Sequence, residues 1–163
     1  MKRTNLTLTL ALAAVGLMTS APVLAASTTH SLAVSSTVVG NCKFNAAGPT
    51  TLTIANSAGS IDPSVAVDAT GTASMTYRCT TGTVAATAAG NGLHFAGGTR
   101  QVNDGGTNNM PYSVGLSGCA GTGLGYGAGG DLTCSVTGTI LQAGFVSAPA
   151  GTYTDTVVLT ITP

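Results

Sequence analysis

An all-β domain, a sandwich or a barrel, is the fold class this sequence predicts, and three observations carry that expectation. No apolar face persists at helical spacing over three turns. Short runs of β-branched and small residues recur instead, punctuated by Gly, Asn, Pro and Ser. The final run alternates most clearly. Tyr153, Val157, Leu159 and Ile161 share one face and Thr154, Thr156, Thr160 and Thr162 the other, with Asp155 and Val158 against the pattern.

In chain order, Lys2 and Arg3 precede the apolar run Leu6–Met18, and Val23-Leu24-Ala25 offers the small residues a signal peptidase requires. Residues 1–25 are therefore expected to be an export signal, cleaved after Ala25 or, as second choice, after Ala26. The run is too short to span a bilayer with its flanks, and no other apolar run approaches ~20 residues. The remainder is long enough for one domain with its own core. No linker, internal repeat or second domain is visible in it.

His30–Cys42 follows. Leu32, Val34 and Val38 fall on one face of an extended segment, with Ser36 breaking the row, and Ser35 and Thr37 fall on the other. An apolar, strand-forming N-terminus is an aggregation hazard unless something receives it. Another copy of the protein is the expected receiver. Further strands are expected at Thr50–Ala55, Ala73–Thr80, Thr83–Ala88, Leu93–Ala96, Tyr112–Leu116, Leu132–Ile140 and Tyr153–Thr162. Asn91-Gly92 and Asn103-Asp104-Gly105-Gly106 supply turn residues that tolerate positive φ. Gly118–Gly130, almost all Gly, Ala and Thr, reads as a surface loop.

Four cysteines in an exported chain argue for disulfides, because the compartment beyond the inner membrane is oxidising. Three pairings are possible. Order along the chain favours Cys42–Cys79 and Cys119–Cys134, without excluding the others. A metal site has little support, since no CxxC pair occurs and both histidines lie far from the cysteines in sequence.

Beyond residue 25 the basic residues are Lys43, Arg78 and Arg100, against Asp62, Asp68, Asp104, Asp131 and Asp155. That leaves no basic patch for nucleic acid or anionic lipid. With only 6% charged residues in the chain, the surface repels its neighbours weakly and suits packing into an assembly.

Candidate chemistry is sparse. Gly125-Tyr126-Gly127-Ala128-Gly129-Gly130 matches G-x-G-x-x-G by letters, but a strand pattern follows it where dinucleotide binding needs a helix. His94 could act as a base, yet no G-x-S-x-G presents a nucleophile, and the outer face of a strand is its expected place. His30 sits in the N-terminal tail. Asp104 lacks the ligand ladder of a calcium loop and reads as a turn residue. Arg78 is a lone charge expected to reach solvent or an aspartate. No catalytic group, cofactor or metal is expected. A self-contained exported β-sandwich binding a carbohydrate or protein is the rival to a structural role. Its weakness is the absence of Trp and the scarcity of other aromatics.

Three segments carry a resemblance: Val38-Val39-Gly40-Asn41-Cys42 after the alternating N-terminal run, Tyr77-Arg78-Cys79-Thr80, and Ala150–Thr162 with its Gly-x-Tyr-x-Asp followed by alternating Thr and Val. Together they resemble the spore coat protein U family, the subunits of archaic chaperone–usher pili. Cys42 and Cys79 fit that family's disulfide near the start of the fold. The resemblance implies an incomplete immunoglobulin-like β-sandwich (the pilin fold) completed by a donor strand. Residues 26–40 would be the donor extension and 41–163 the sandwich. Leu32, Val34 and Val38 would enter pockets of the next subunit, with Ser36 at a shallow or polar one. Tyr153, Val157, Leu159 and Ile161 would line the groove, on the strand with which a chaperone pairs. The implied partners are a periplasmic pilus chaperone, an outer-membrane usher and further pilin subunits. The implied route runs through the periplasm to a cell-surface pilus, and the implied role is adhesion or biofilm formation. The single domain favours a shaft subunit over a tip adhesin.

Overall fold

A computed structural model describes residues 27–45 and 51–163. The expected export signal, residues 1–25, lies outside the described residues. The chain divides into two units, Met1–Ser36 and Thr37–Pro163. In the first, residues 27–36 are all exposed and enter no helix or β ladder.

The described part of the second unit has seven strands: β1 (Cys42–Phe44), β2 (Ala69–Cys79), β3 (Ala86–Ala89), β4 (Arg100–Asn103), β5 (Asn109–Ser117), β6 (Leu132–Ile140) and β7 (Leu159–Thr162). A single helical turn, α1 (Gln142–Phe145), stands between β6 and β7. One sheet has the order β1-β2-β6-β5-β4 and the other pairs β3 with β7, all antiparallel.

Period-two alternation builds the larger sheet. Along β6, Cys134, Val136, Gly138 and Ile140 point inward, opposite Met75, Ala73, Gly71 and Ala69 of β2. In β5, Met110 and Tyr112 are buried between exposed neighbours. Its first half pairs with β4, Pro111 standing opposite Gln101, and its second half with β6, so Pro111 lies outside the β6 ladder.

Two apolar clusters fill the space between the sheets. The first joins Cys42, Tyr77, Cys79, Cys119, Cys134 and Val136 of the larger sheet and its loop to Leu159 and Ile161 of the smaller one and to Ala85 just before β3. The second gathers Ala69, Met110, Tyr112, Ile140 and Phe145, with Tyr153 and Val157 packed against it. Phe145 is fully buried, worth about 2–3 kcal/mol for a side chain of its size. Its helical turn is capped from a distance, the Gln142 N–H donating to the Asp68 carboxylate at 2.8 Å.

Several expectations need correction. Leu93–Ala96 is not a strand: the Leu93 and His94 N–H groups turn toward the Asp155 carboxylate, and Gly97 and Gly98 sit at positive φ. The strand comes later, at Arg100–Asn103. Thr83–Ala88 shifts to β3, because Val84 pairs with Thr122 and the Ala85 N–H donates to the Gly121 carbonyl. Of the expected strand Thr50–Ala55, Thr50 lies outside the described residues, and among the described residues 51–55 only Ala55 pairs, with Thr70. There the segment packs over the Gly71–Gly138 pair, where a Cβ on Gly138 would lie 2.7 Å from Ile54 Cδ1 and 2.9 Å from Leu52 Cδ2. Tyr153–Thr162 is not one continuous ladder. Thr154 bridges to Asn103, and pairing with β3 begins only at Leu159.

Candidate functional site: an open strand edge

The segment 153–162 keeps strict alternation of burial even where it lacks a ladder. Tyr153, Asp155, Val157, Leu159 and Ile161 are half-buried and the intervening residues exposed. Asp155 therefore belongs to the inner face, contrary to its reading as a break in the pattern. Leu159 and Ile161 reach the first core cluster, Tyr153 and Val157 the second, so this one segment spans the core. Among the described residues β7 has a single ladder partner, β3, which leaves its other edge unpaired. An open edge flanked by half-buried apolar side chains can accept a further strand through main-chain hydrogen bonds and side-chain pockets.

Asp155 fixes the segment to its surroundings. Its carboxylate, 2% exposed, accepts from the Leu93 N–H at 2.8 Å, the His94 N–H at 3.1 Å and the Tyr112 hydroxyl at 2.5 Å. Burial alone pushes this carboxyl up, but the bonds from Tyr112, Thr156, His94 and Leu93 outweigh it and hold the pKa below the ordinary carboxylate range. Burial and the same carboxylate raise the pKa of Tyr112. Gly92, at φ 89°, is where the turn passes closest, and any Cβ there would collide with the Asp155 carboxylate. His94 thus lies in a turn with its Nδ1 3.3 Å from Asp155.

The candidate donor residues are on display. Leu32, Val34 and Val38 are 82%, 86% and 81% exposed, Ser36 is exposed, and none of them joins a ladder. The chain becomes anchored just beyond them. Thr80 Oγ1 donates to the Val39 carbonyl at 3.2 Å and accepts from the Asn41 N–H at 3.1 Å. Cys42 is bonded to Cys79, and Cys119 to Cys134.

The Gly-rich loop straps this anchor. The Gly125 N–H donates to the Cys79 carbonyl at 2.9 Å and the Gly123 N–H to the Thr83 carbonyl at 2.7 Å. Tyr126 Oη donates to the Asn41 carbonyl at 3.0 Å. Such close approach requires small residues. A Cβ on Gly123 would overlap the Thr80 carbonyl and lie 2.7 Å from Cys79 Cβ. Arg78 finds its aspartate: Nε and Nη2 reach the two carboxylate oxygens of Asp131 at 2.6 and 3.0 Å, while Nη1 donates to the Tyr126 carbonyl. The bonds from Arg78 and then Asn45 lower the Asp131 carboxyl to about 2. Asp104 accepts from Gly106 and Asn108 within its turn. The loop letters that match G-x-G-x-x-G precede a strand, β6, so no helix N-terminus stands behind them.

These features define a disulfide-braced all-β sandwich with an open edge on its last strand. The pattern of the spore coat protein U domain matches residues 28–160, and the chain belongs to that family, one of structural subunits rather than enzymes. No curated protein matches the sequence. Among solved structures the chain is similar to the crystal structure of the CsuC–CsuE chaperone–tip adhesion subunit pre-assembly complex from the archaic chaperone–usher Csu pili of Acinetobacter baumannii. The similarity has 21% identity and a TM-score of 0.45, over 77% of this chain and 40% of that one. This chain therefore aligns to less than half the length of that one.

Proposed function

We propose that this chain is a structural subunit of an extracellular pilus, assembled by a chaperone–usher pathway through donor-strand exchange. The observation that carries the proposal is the pairing of opposites in one chain. Among the described residues, an edge lined by Tyr153, Val157, Leu159 and Ile161 lacks a strand, and an exposed segment with Leu32, Val34, Ser36 and Val38 at alternate positions lacks a sheet. Residues 26–40 act as the donor extension and 41–163 as the acceptor domain. The pairing is in trans, since only pairing in trans yields a polymer. Each donor side chain moved from water into a groove contributes about 1.5–3 kcal/mol, reduced by the cost of ordering the extension. A one-residue slip would turn Leu32, Val34 and Val38 outward, so the pockets specify the register.

In this reading a periplasmic chaperone lends a strand to the open edge first. At an outer-membrane usher, the extension of the next subunit then replaces it. Both disulfides suit an oxidising compartment. The resulting fibre supports adhesion or biofilm formation at the cell surface. The test is Val34→Asp. The variant should fold with its chaperone yet form no fibres, since an unpaired carboxylate cannot enter an apolar pocket. Normal fibres from it would refute the pocket assignment.

A further inference from the structure

We infer that the surface at the root of the N-terminal extension, formed by Val39, Lys43, Leu124 and Tyr126, seats a second copy of this chain; the inference rests on the donor-strand reading above. Chain length forces the contact. The Val39 carbonyl is held by Thr80 Oγ1, and the Asn41 carbonyl by the Thr80 N–H and by Tyr126 Oη, at 2.9 and 3.0 Å. Val38, assigned to the neighbour's groove, is the very next residue, and consecutive Cα atoms lie only about 3.8 Å apart. Even if Val39 came loose from Thr80, the three residues from Asn41 to Val38 could reach no further than ~11 Å. The acceptor subunit must therefore stand directly against the side chains that surround Asn41.

Those side chains are exposed to solvent. Leu124 is 60% exposed, Val39 72% and Tyr126 39%. The Lys43 ammonium lies 5.3 Å from the Tyr126 ring centre and forms no salt bridge among the described residues. Exposed apolar side chains with a single cation among them fit a second copy, whose domain carries more aspartates than basic residues. The patch is preformed. Backbone bonds from Gly123 and Gly125 and the Arg78 bond to the Tyr126 carbonyl hold the loop in place, so little ordering cost remains on docking.

The test is a photo-reactive phenylalanine analogue in place of Leu124 in the full chain, irradiated in assembled polymer. Cross-links between consecutive subunits are expected. In parallel, Leu124→Asp should keep the monomer's melting temperature while cutting the yield of long polymer about tenfold, the effect of desolvating a carboxylate at an interface. Polymer that forms normally with Leu124→Asp overturns the inference. So does polymer that yields no subunit–subunit cross-link, or cross-links only to a chaperone. In each of those cases donor-strand exchange stands. A folded monomer that never polymerises, even without substitution, overturns the donor-strand reading itself and the inference with it.

Discussion

The Tyr112 hydroxyl donates to the Asp155 carboxylate at 2.5 Å, tying the strand β5 to the segment that leads into β7. The same carboxylate holds the Leu93 and His94 N–H groups, so one side chain organises three separate stretches of chain. Asp155→Ala would strand those donors and is expected to cost about 2–3 kcal/mol, measured by denaturant unfolding. Asp155→Asn, which retains an acceptor oxygen, should cost less. Equal losses from the two variants would show that the hydrogen bonds are not what matters.

Acid sensitivity follows from the depressed carboxyls. Asp131, held by Arg78 and Asn45 at about 2, and Asp155, held below its ordinary value, each have a folded pKa lower than the unfolded one. Their stabilisation is fully present above the unfolded value of about 4 and is lost as pH falls through the folded value. Wild type should therefore exceed Asp131→Asn in stability at neutral pH, and the two should converge near pH 2. A constant difference across that range would contradict the assignment.

Both disulfides are buried: Cys42 is the most exposed of the four cysteines, at 9%. The native protein should resist reductant and thiol alkylation until denaturant is added. By the loop-entropy relation, loss of Cys119–Cys134 should cost about 3 kcal/mol and loss of Cys42–Cys79 somewhat more. Mass spectrometry after alkylation, with and without urea, checks the first point. Melting of the paired Cys→Ser variants checks the second.

Gly123→Ala tests the strap. Its added methyl would meet the Thr80 carbonyl and Cys79, which are backbone and disulfide and cannot step aside. A loss of about 1–3 kcal/mol is expected, whereas Gly127→Ala, with nothing within 4 Å of the new Cβ, should be nearly silent. Comparable melting temperatures for the two variants would argue against close packing of the loop.

What the sequence made legible depends on how strongly one face of each strand is dictated. Leu132–Ile140 was readable to the residue because it is central, with β2 on one side and β5 on the other. Arg100–Asn103 was not, since a four-residue edge strand of Arg, Gln, Val and Asn owes its existence to the partner β5. Leu93 and Phe95 misled for the opposite reason: they are apolar, yet exposed on a turn whose backbone answers to Asp155. Asp155 itself stood at the correct period, two residues from both Tyr153 and Val157. Its charge disguised it as an interruption when it was a buried anchor. The segment Leu32–Val38 shows its alternation in the sequence alone: in the structure it is exposed throughout and joins no ladder.

The most direct test of strand donation removes the extension and returns it as a peptide. A form of the protein beginning at Asn41 is titrated with a peptide covering Ser27–Val39 while its melting temperature is followed. The intact mature protein is run beside it on an unheated denaturing gel. Donor-strand exchange requires a ladder of oligomers from the intact protein and a large peptide-induced rise in the melting temperature of the truncated one. A single monomer band, with a melting temperature indifferent to the peptide, would contradict it and leave a sandwich that is complete by itself.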